Sequence, residues 1–329
     1  MEINQFLTTK ITEVNKKMKN LTRGKNKATN KMLKWLLSEK GKQLRPRFLL
    51  ASAFYFNCDS DVSECAAIIE LIHMATLVHD DVIDKSDFRR GKLSIQKKFG
   101  AKSAVYLGDY IMFSILRKTK LSKEVYKIIL DGIADVYDGE MGQDEKLYDL
   151  TITQEQYISN IKGKTATLYG LSTKLGAFLS GATPQMVEKF EKIGIIYGIL
   201  FQINDDLLDI LSQINETGKP VFQDFYNGIY TLPVIMAKRN KEAYKEILYL
   251  QTIVKKYGMA DEEKDRLLNI LRENNALDKT HEVAKDFYDS GKELLETLQD
   301  NDTKMYFLNM YDKIYKNITN KCKKRILDI

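Results

Sequence analysis

Apolar positions along this chain recur at three- and four-residue steps. Ile68, Leu71, Ile72 and Ala75 form one such set, and Ile193, Ile196, Tyr197 and Leu200 another. That is the period of a helix with one buried face, so helices are predicted through both stretches. No convincing run of strand alternation appears. The prolines, only four in 329 residues, punctuate the pattern. Pro46 fits the first turn of a helix running to about Phe56, and Thr183-Pro184 reads as an N-cap and first helical residue after a stop at Gly181. Pro220 and Pro233 bracket a loop and a short segment. Loops are expected near 41–46, 85–103, 144–153 and 212–229. From Ala237 onward the chain is polar, helical in pattern and poor in chemical signals, so its role is read as packing. No Gly/Ser-rich or Pro-rich linker interrupts it, and residues 1–329 are read as one all-α domain.

Two apolar stretches, Ala66–Val78 and Ile193–Ile203, end in the same carboxylate pattern: Asp80-Asp81-Val82-Ile83-Asp84 and Asp205-Asp206-Leu207-Leu208-Asp209. On a helix, the first, second and fifth positions gather at one rim. Like charges so placed repel by a few tenths of a kcal/mol, roughly the reverse of a favourable pair. Neither copy contains a Lys or Arg to offset this. One such triplet is as readily a solvated helix face. Two copies with one spacing and one kind of apolar lead-in point instead to a bound cation. Oxygen-only ligands suit Mg²⁺, which takes one or two carboxylates per ion and fills its shell with water and phosphate oxygens. Softer metals do not fit, because Cys58, Cys65 and Cys322 lack zinc-type spacing and the three His are scattered.

Composition narrows the setting. A hydrophobic content of 44% supports a substantial core, and the net charge of +6 permits an anionic small substrate or weak attraction to an anionic membrane. No basic stripe interleaved with aromatics argues for nucleic acid. Three cysteines without a framework indicate a reducing compartment. Met1-Glu2-Ile3-Asn4-Gln5 lacks the basic and apolar regions of a signal peptide, and no apolar run reaches the ~18 residues of a membrane span, so a cytoplasmic protein is expected.

If Mg²⁺ sits on the carboxylates, a diphosphate should sit on the Mg²⁺ and basic groups should face it. Candidates fall where loops meet helix starts. Lys42 and Arg45 lie in Gly41-Lys42-Gln43-Leu44-Arg45-Pro46, at a helix N-terminus whose N–H groups favour an anion. Arg89-Arg90-Gly91 follows Asp84 by five residues and offers two guanidinium forks. Gly163-Lys164-Thr165 resembles the end of a phosphate loop, but position 158 is Ile where that loop needs Gly. Gly218-Lys219-Pro220 follows the second cluster by a loop. His73 lies two turns before Asp80 on an apolar helix, where a histidine is more often a satisfied core residue than a ligand.

These pieces, in this order, resemble the trans-isoprenyl diphosphate synthases (the polyprenyl synthetase family). The resemblance rests on GKQLRP at 41–46, IHMATLVHDDVIDKSDFRRG at 72–91, GKT at 163–165, FQINDDLLD at 201–209, GKPVFQDFYNGIYTLP at 218–233, and Asp138-Gly139-Glu140 with Gln143. It implies an all-α bundle of mostly antiparallel helices around a deep central cavity, usually a homodimer. The implied reaction joins isopentenyl diphosphate to an allylic diphosphate and releases pyrophosphate, extending the chain by five carbons. By position, the resemblance makes Asp80 and Asp84 ligands of two Mg²⁺ and Asp205 of a third, with Asp81, Asp206 and Asp209 in support. It gives Arg89, Lys164 and Lys219 the allylic diphosphate, and Lys42, Arg45, His73 and Arg90 the isopentenyl diphosphate. Thr165 and Gln202 would present oxygens to the carbocation or orient the leaving group. Three positions depart from the family pattern: Gln43 stands where Arg is frequent, Lys40 where a second Gly is common, and Ile229 where Lys is usual.

The helix leading into Asp80 also acts as a ruler. Four and five residues earlier, about 6–7 Å deeper at 1.5 Å per residue, stand Ala75 and Thr76. Short-chain members of the family carry an aromatic stop there. Small residues predict a medium- to long-chain product, hexaprenyl to octaprenyl, with Met112 or Phe113 as candidates for the cavity floor. The alternatives are a geranylgeranyl diphosphate synthase, the catalytic large subunit of a two-component synthase needing a small regulatory partner, and a terpene cyclase or non-catalytic subunit. A cyclase would carry a different second metal motif, and a non-catalytic subunit would have lost aspartates. A long product tail also implies transient membrane contact at release.

Overall fold

The three- and four-residue periodicity is realised as helix. The computed structural model describes residues 2–38, 41–58, 60–211 and 221–324. In chain order the helices are α1 (Ile3–Thr22), α2 (Lys27–Leu36), α3 (Leu44–Tyr55), α4 (Ser63–Ile83), α5 (Ile95–Phe99), α6 (Ala101–Lys118), α7 (Lys123–Asp144) and α8 (Gln154–Ile161). A π-helical segment, Lys162–Ala166, leads into α9 (Thr167–Leu179), followed by α10 (Pro184–Leu211), α11 (Gln223–Tyr226), α12 (Leu232–Ala237), α13 (Lys241–Tyr257), α14 (Asp261–Glu273), α15 (Ala276–Glu296) and α16 (Asp302–Lys324). Among the described residues the only sheet is a two-stranded hairpin, β1 (Phe88–Arg89) with β2 (Lys92–Leu93). That hairpin and α5 fall inside the stretch expected as loop between 85 and 103. The strands are too short to show alternation, which is why the pattern missed them.

Contacts divide the chain into two compact units. The first comprises residues 1–130, 171–191 and 301–303, and the second residues 131–170, 192–300 and 304–329. In the first, α4 packs against α1, α3 and α6. Ala66, Ala67, Ile68, Ile69 and Leu71 are all 0% exposed, so the helix is enclosed on every side rather than along one stripe. Each large aliphatic buried this way contributes about 1.5–3 kcal/mol. The short turn of the hairpin has Arg90 at φ 52° and Gly91 at φ 79°, the left-handed pair that matches the twist of two joined strands.

In the second unit, α8 starts with a capping box. Thr153 Oγ1 accepts from Gln156 N at 3.2 Å while Gln156 Oε1 accepts from Thr153 N at 2.9 Å. The C-terminal helices do the packing expected of them. Tyr311 of α16 is wholly buried, donates to the carbonyl of Ile193, and packs its ring 5.7 Å from that of Tyr197 of α10 at a tilt of 57°. A Cβ at Gly291 would lie 2.2 Å from the Tyr311 ring, so glycine is what lets α15 approach it. The long α10 begins as the sequence predicts, with Thr183 Oγ1 accepting from Met186 N and Pro184 as its first residue. No described helix is long and apolar enough to cross a membrane.

The cysteines are unpaired. Burial pushes the thiols of Cys65 and Cys322 up to about 12, whereas Cys58 is half-buried. Titration of the native protein at pH 8 with a disulfide-exchange reagent should therefore modify Cys58 alone, and all three thiols only after unfolding. Rapid reaction of two or three in the native state would contradict this packing.

Candidate functional site

The first aspartate cluster closes α4, the most enclosed helix of its unit. Asp81 is 3% exposed, yet it does not sit there uncompensated: Arg89 of the hairpin donates to Asp81 Oδ1 from Nε at 2.9 Å and from Nη2 at 2.5 Å. The charge offset that the cluster itself lacks thus comes from five residues beyond it. Asp80 is half-buried and Asp84 exposed. Burial, reinforced by the charges of Arg45, Arg90 and Arg89, holds the His73 imidazole well below the usual histidine range. Its neutral form is thereby favoured. Arg90 crosses Gly41, where a Cβ would lie 2.4 Å from its Nη1; Gly41 itself has φ 52°. The turn at 41–43 and the hairpin thus meet. Lys42 is exposed at the same turn.

Glu70, which the sequence reading passed over, belongs to this basic set. It is 3% exposed, and burial raises its pKa while the charges of Arg45 and Arg90 pull it back. Its position three residues before His73, on the same helix face, was the available signal. Thr76 donates from Oγ1 to His73 O at 2.9 Å, and Ala75 is 1% exposed. Phe113, one of the two candidates for a cavity floor, is 67% exposed. α6 turns Ile111 and Ser114 inward and carries Phe113 on its outer side, so that residue does not close an interior space in this chain.

The second cluster closes α10 and is held by a chain of polar contacts. Thr165 Oγ1 donates to Gln202 Oε1 at 2.6 Å, Gln202 Nε2 donates to Asp206 Oδ1 at 2.8 Å, and Tyr157 donates to Asp206 Oδ2 at 2.6 Å. Asp209 accepts backbone N–H bonds from Gln223 at 3.0 Å and Asp224 at 3.2 Å, fixing the start of α11. Asp205 is exposed. Lys164 pairs with Glu140 at 2.9 Å. It stands in the π-helical segment, not in a phosphate loop, and such one-turn bulges often mark functional sites. Lys219 lies outside the described residues. Tyr157, Glu140 and Asp224 were given no role by the sequence reading, although Glu140 and Asp224 fall in segments that carried the resemblance.

The second cluster holds carboxyls raised above their usual range. Burial, opposed by the Tyr157 and Gln202 hydrogen bonds and assisted by the charges of Asp205 and Asp209, pushes the Asp206 carboxyl up to about 7. Burial and the charges of Asp209 and Asp206 raise Asp224 as well, against Lys164. Carboxylates in this condition fit a divalent cation, whose charge would restore their ionised forms. Among the described residues no three of His, Cys, Asp and Glu form a ready-made cage.

Solved structures share this fold. Heptaprenyl diphosphate synthase from Staphylococcus aureus superposes with a TM-score of 0.85 at 31% identity, covering 94% of this chain and 98% of that one. A polyprenyl synthase from Caulobacter crescentus CB15, complexed with calcium and isoprenyl diphosphate, gives 0.86 at 27% identity, over 95% and 96% of the two chains. In sequence, heptaprenyl diphosphate synthase component 2 of Bacillus subtilis (strain 168) is 32% identical over 80% of this chain and 75% of its own. The short chain isoprenyl diphosphate synthase of Methanothermobacter thermautotrophicus is 33% identical over 82% and 84%. The polyprenyl synthetase family model matches residues 26–271. The chain belongs to the polyprenyl synthetase family, and so to the prenyltransferases.

One contact in the second unit is unusually close. A Cβ at Gly139 would lie 2.3 Å from Lys164 N and 2.6 Å from the carbonyl carbon of Gly163; one at Gly163 would lie 2.6 Å from Gly139 Cα. Two glycines therefore let α7 touch the backbone that carries Lys164 and Thr165. Gly139→Ala should destabilise the protein by about 1–3 kcal/mol by overpacking, more than the ~1 kcal/mol it gains in helix propensity. Chemical denaturation checks this, and a stabilised variant would refute the close approach.

Proposed function

We propose that the chain acts as one polyprenyl synthase domain, condensing isopentenyl diphosphate with an allylic diphosphate in a Mg²⁺-dependent reaction. The product is an all-trans polyprenyl diphosphate and the by-product pyrophosphate. The observation that carries this reading is the company each aspartate cluster keeps: Arg89 on Asp81, and Lys164 beside Asp224 and the Asp205–Asp209 motif. Asp80, Asp84 and Asp205 hold three Mg²⁺, with Asp81, Asp206 and Asp209 keeping those ligands in place. Bound Mg²⁺ supplies positive charge to leaving oxygens that become more negative as the allylic C–O bond ionises. Arg89, Lys164 and Lys219 grip the allylic diphosphate. Lys42, Arg45, Arg90 and neutral His73 hold the isopentenyl diphosphate.

Gln202 is fixed at both ends, by Thr165 and by Asp206, so its amide keeps one orientation towards the carbocation or leaving group. Ala75 and Thr76 place small side chains one turn below Asp80 on α4. At about 1.5 Å per residue this favours a tail beyond fifteen carbons, on the order of thirty to forty.

A homodimer is the assembly we favour, because α6 leaves Tyr106, Phe113 and Leu116 more than half or half exposed at helical spacing. We place the enzyme in the cytoplasm, with transient membrane contact at product release. A second reading, a catalytic subunit that needs a small partner, draws on the relative named as component 2 of a heptaprenyl diphosphate synthase.

Incubating the purified chain with labelled isopentenyl diphosphate, farnesyl diphosphate and Mg²⁺ tests these points. Chromatography should show hexaprenyl to octaprenyl products, abolished by a chelator. A dominant fifteen- or twenty-carbon product would defeat the length assignment, and activity only after adding a small subunit would select the second reading. Asp80→Asn and Asp205→Asn should each lower turnover at least about 100-fold, the scale of lost transition-state charge stabilisation, with an unchanged circular dichroism spectrum. Separately, Ala75→Phe should shorten the product while leaving turnover measurable. An unaltered product distribution in that variant would remove Ala75 from the length-setting path.

A further inference from the structure

Basic residues are spread unevenly over this chain. Residues 23–38 and 85–102 hold twelve of its 51 basic residues and one of its 45 acidic ones. The whole chain is at +6, so everything outside these two segments is net negative. Arg89 and Arg90 belong to the diphosphate site, and the one acid, Asp87, pairs with Lys97 at 2.8 Å. The remaining lysines of the two segments take no part in the reaction proposed above. Neither segment reads as a basic stripe by itself; the fold joins them.

Trp35 of α2 is the joint. Its indole Nε1 donates to the carbonyl of Leu93 in β2 at 3.1 Å. Lys98 Nζ of α5 lies 2.8 Å from the centre of the indole, and Lys92 Nζ of β2 lies 5.5 Å from it. Lys31, four residues earlier on α2, is on the same helix face as Trp35. Leu93 in turn pairs across the hairpin with Phe88, and the two are 38% and 56% exposed. Directly opposed residues of an antiparallel pair project from one face, so the hairpin offers two neighbouring apolar side chains to solvent, beside a group of lysines. Indole rings and lysine stems suit a boundary that is apolar on one side and wet on the other. Binding at such a boundary grows with the apolar area buried and with attraction to anionic lipid.

Building on the membrane contact proposed above, we propose that the surface formed by α2, the hairpin and α5 docks on an anionic lipid bilayer. Phe88 and Leu93 enter the boundary between headgroups and acyl chains. Lys31, Lys92 and Lys98 lie among the anionic headgroups, with Trp35 at the interface. Each such lysine strengthens binding about fivefold, an effect that fades over a Debye length of about 8 Å at physiological salt.

Trp35 is the single tryptophan of the chain, so its emission reports on this surface alone. The test mixes the full chain with vesicles of phosphatidylcholine, or of phosphatidylcholine with phosphatidylglycerol, at about 0.15 M salt. The anionic vesicles should co-sediment the protein and move Trp35 emission to shorter wavelength, and the neutral ones should do neither. Lys31→Gln combined with Lys98→Gln should weaken binding about 25-fold, at about fivefold for each charge removed. Phe88→Ser combined with Leu93→Ser keeps every charge and should still weaken it about tenfold or more, the scale of an apolar side chain returned to water. No binding to anionic vesicles, equal binding to neutral ones, or binding without a change in Trp35 emission would overturn the inference. So would indifference of the lysine variant, which moves the contact to another surface. Indifference of the Phe88 and Leu93 variant would mark a general polyanion surface and overturn the bilayer as its partner. The wild-type measurements decide even where a variant fails to fold. Product assays run alongside keep the two readings apart. A chain that makes polyprenyl diphosphates yet ignores anionic vesicles loses only this surface. One that binds as expected but forms no prenyl product, with or without a partner subunit, loses the proposed function.

Discussion

Crowding like charges at the end of a buried helix is the constraint on which the rest of this molecule turns. α4 and α10 are driven inward by their aliphatic and aromatic residues, and each carries three aspartates at its far end. Burial penalises the charges of Asp81 and Asp206, and repulsion from the neighbouring aspartates adds to the penalty. The chain answers in two different ways. At the first cluster a guanidinium from the hairpin directs two of its nitrogens to one oxygen of Asp81. At the second, a phenol and an amide donate to Asp206 and two peptide N–H groups to Asp209. Burial, together with the charges of the neighbouring aspartates, still raises the carboxyls of Asp206 and Asp224.

The fold serves this arrangement by stiffening what lies next to the carboxylates. Backbone-to-backbone approach at Gly139 and Gly163 leaves the π-helical turn little room to shift, so Lys164 and Thr165 are presented from a rigid surface. One turn back along α10 from its aspartates, Phe201 packs at 5.5 Å on Tyr169 and at 6.5 Å on Tyr197. The hydrogen-bonded line from Thr165 through Gln202 to Asp206 then has both ends fixed. A site that must respond to charge developing on a substrate gains from polar groups already oriented, since none has to reorganise during reaction.

Much of this was legible in the sequence because helical burial and helical chemistry share one period. The apolar spacing announced α4 and α10, the Thr183-Pro184 pair marked where α10 starts, and the repeated aspartates marked where both end. The hairpin was not legible: with two residues per strand there is no alternation to read, and its type of turn rests on Arg90 adopting a positive φ that sequence gives no reason to expect. Nor were the partners of the clusters. Tyr157 lies 49 residues from Asp206 and Glu140 lies 24 from Lys164, and spacing within one helix carries no information about such pairs. Phe113 failed for a related reason. Its neighbours on α6 include both inward and outward positions, and the helix phase is set by packing on α4 rather than by composition.

The departures from the family pattern acquire a physical meaning when placed in the fold. Gln43 stands where a cation is frequent, but here its amide is committed to Asn15, and its backbone conformation orients the start of α3. It has exchanged a charge for a structural task, and the positive charge of that region rests on Arg45, Arg90 and the exposed Lys42. Ile229, in the position where lysine is usual, is half-buried, and its N–H donates to the carbonyl of Asp224 at 2.8 Å. The backbone at 229 thereby helps to fix Asp224, a carboxylate raised by its acidic neighbours and eased by Lys164. Lys164, which eases Asp224 from the other side, is held by its pairing with Glu140 and its seat on the two-glycine crossing.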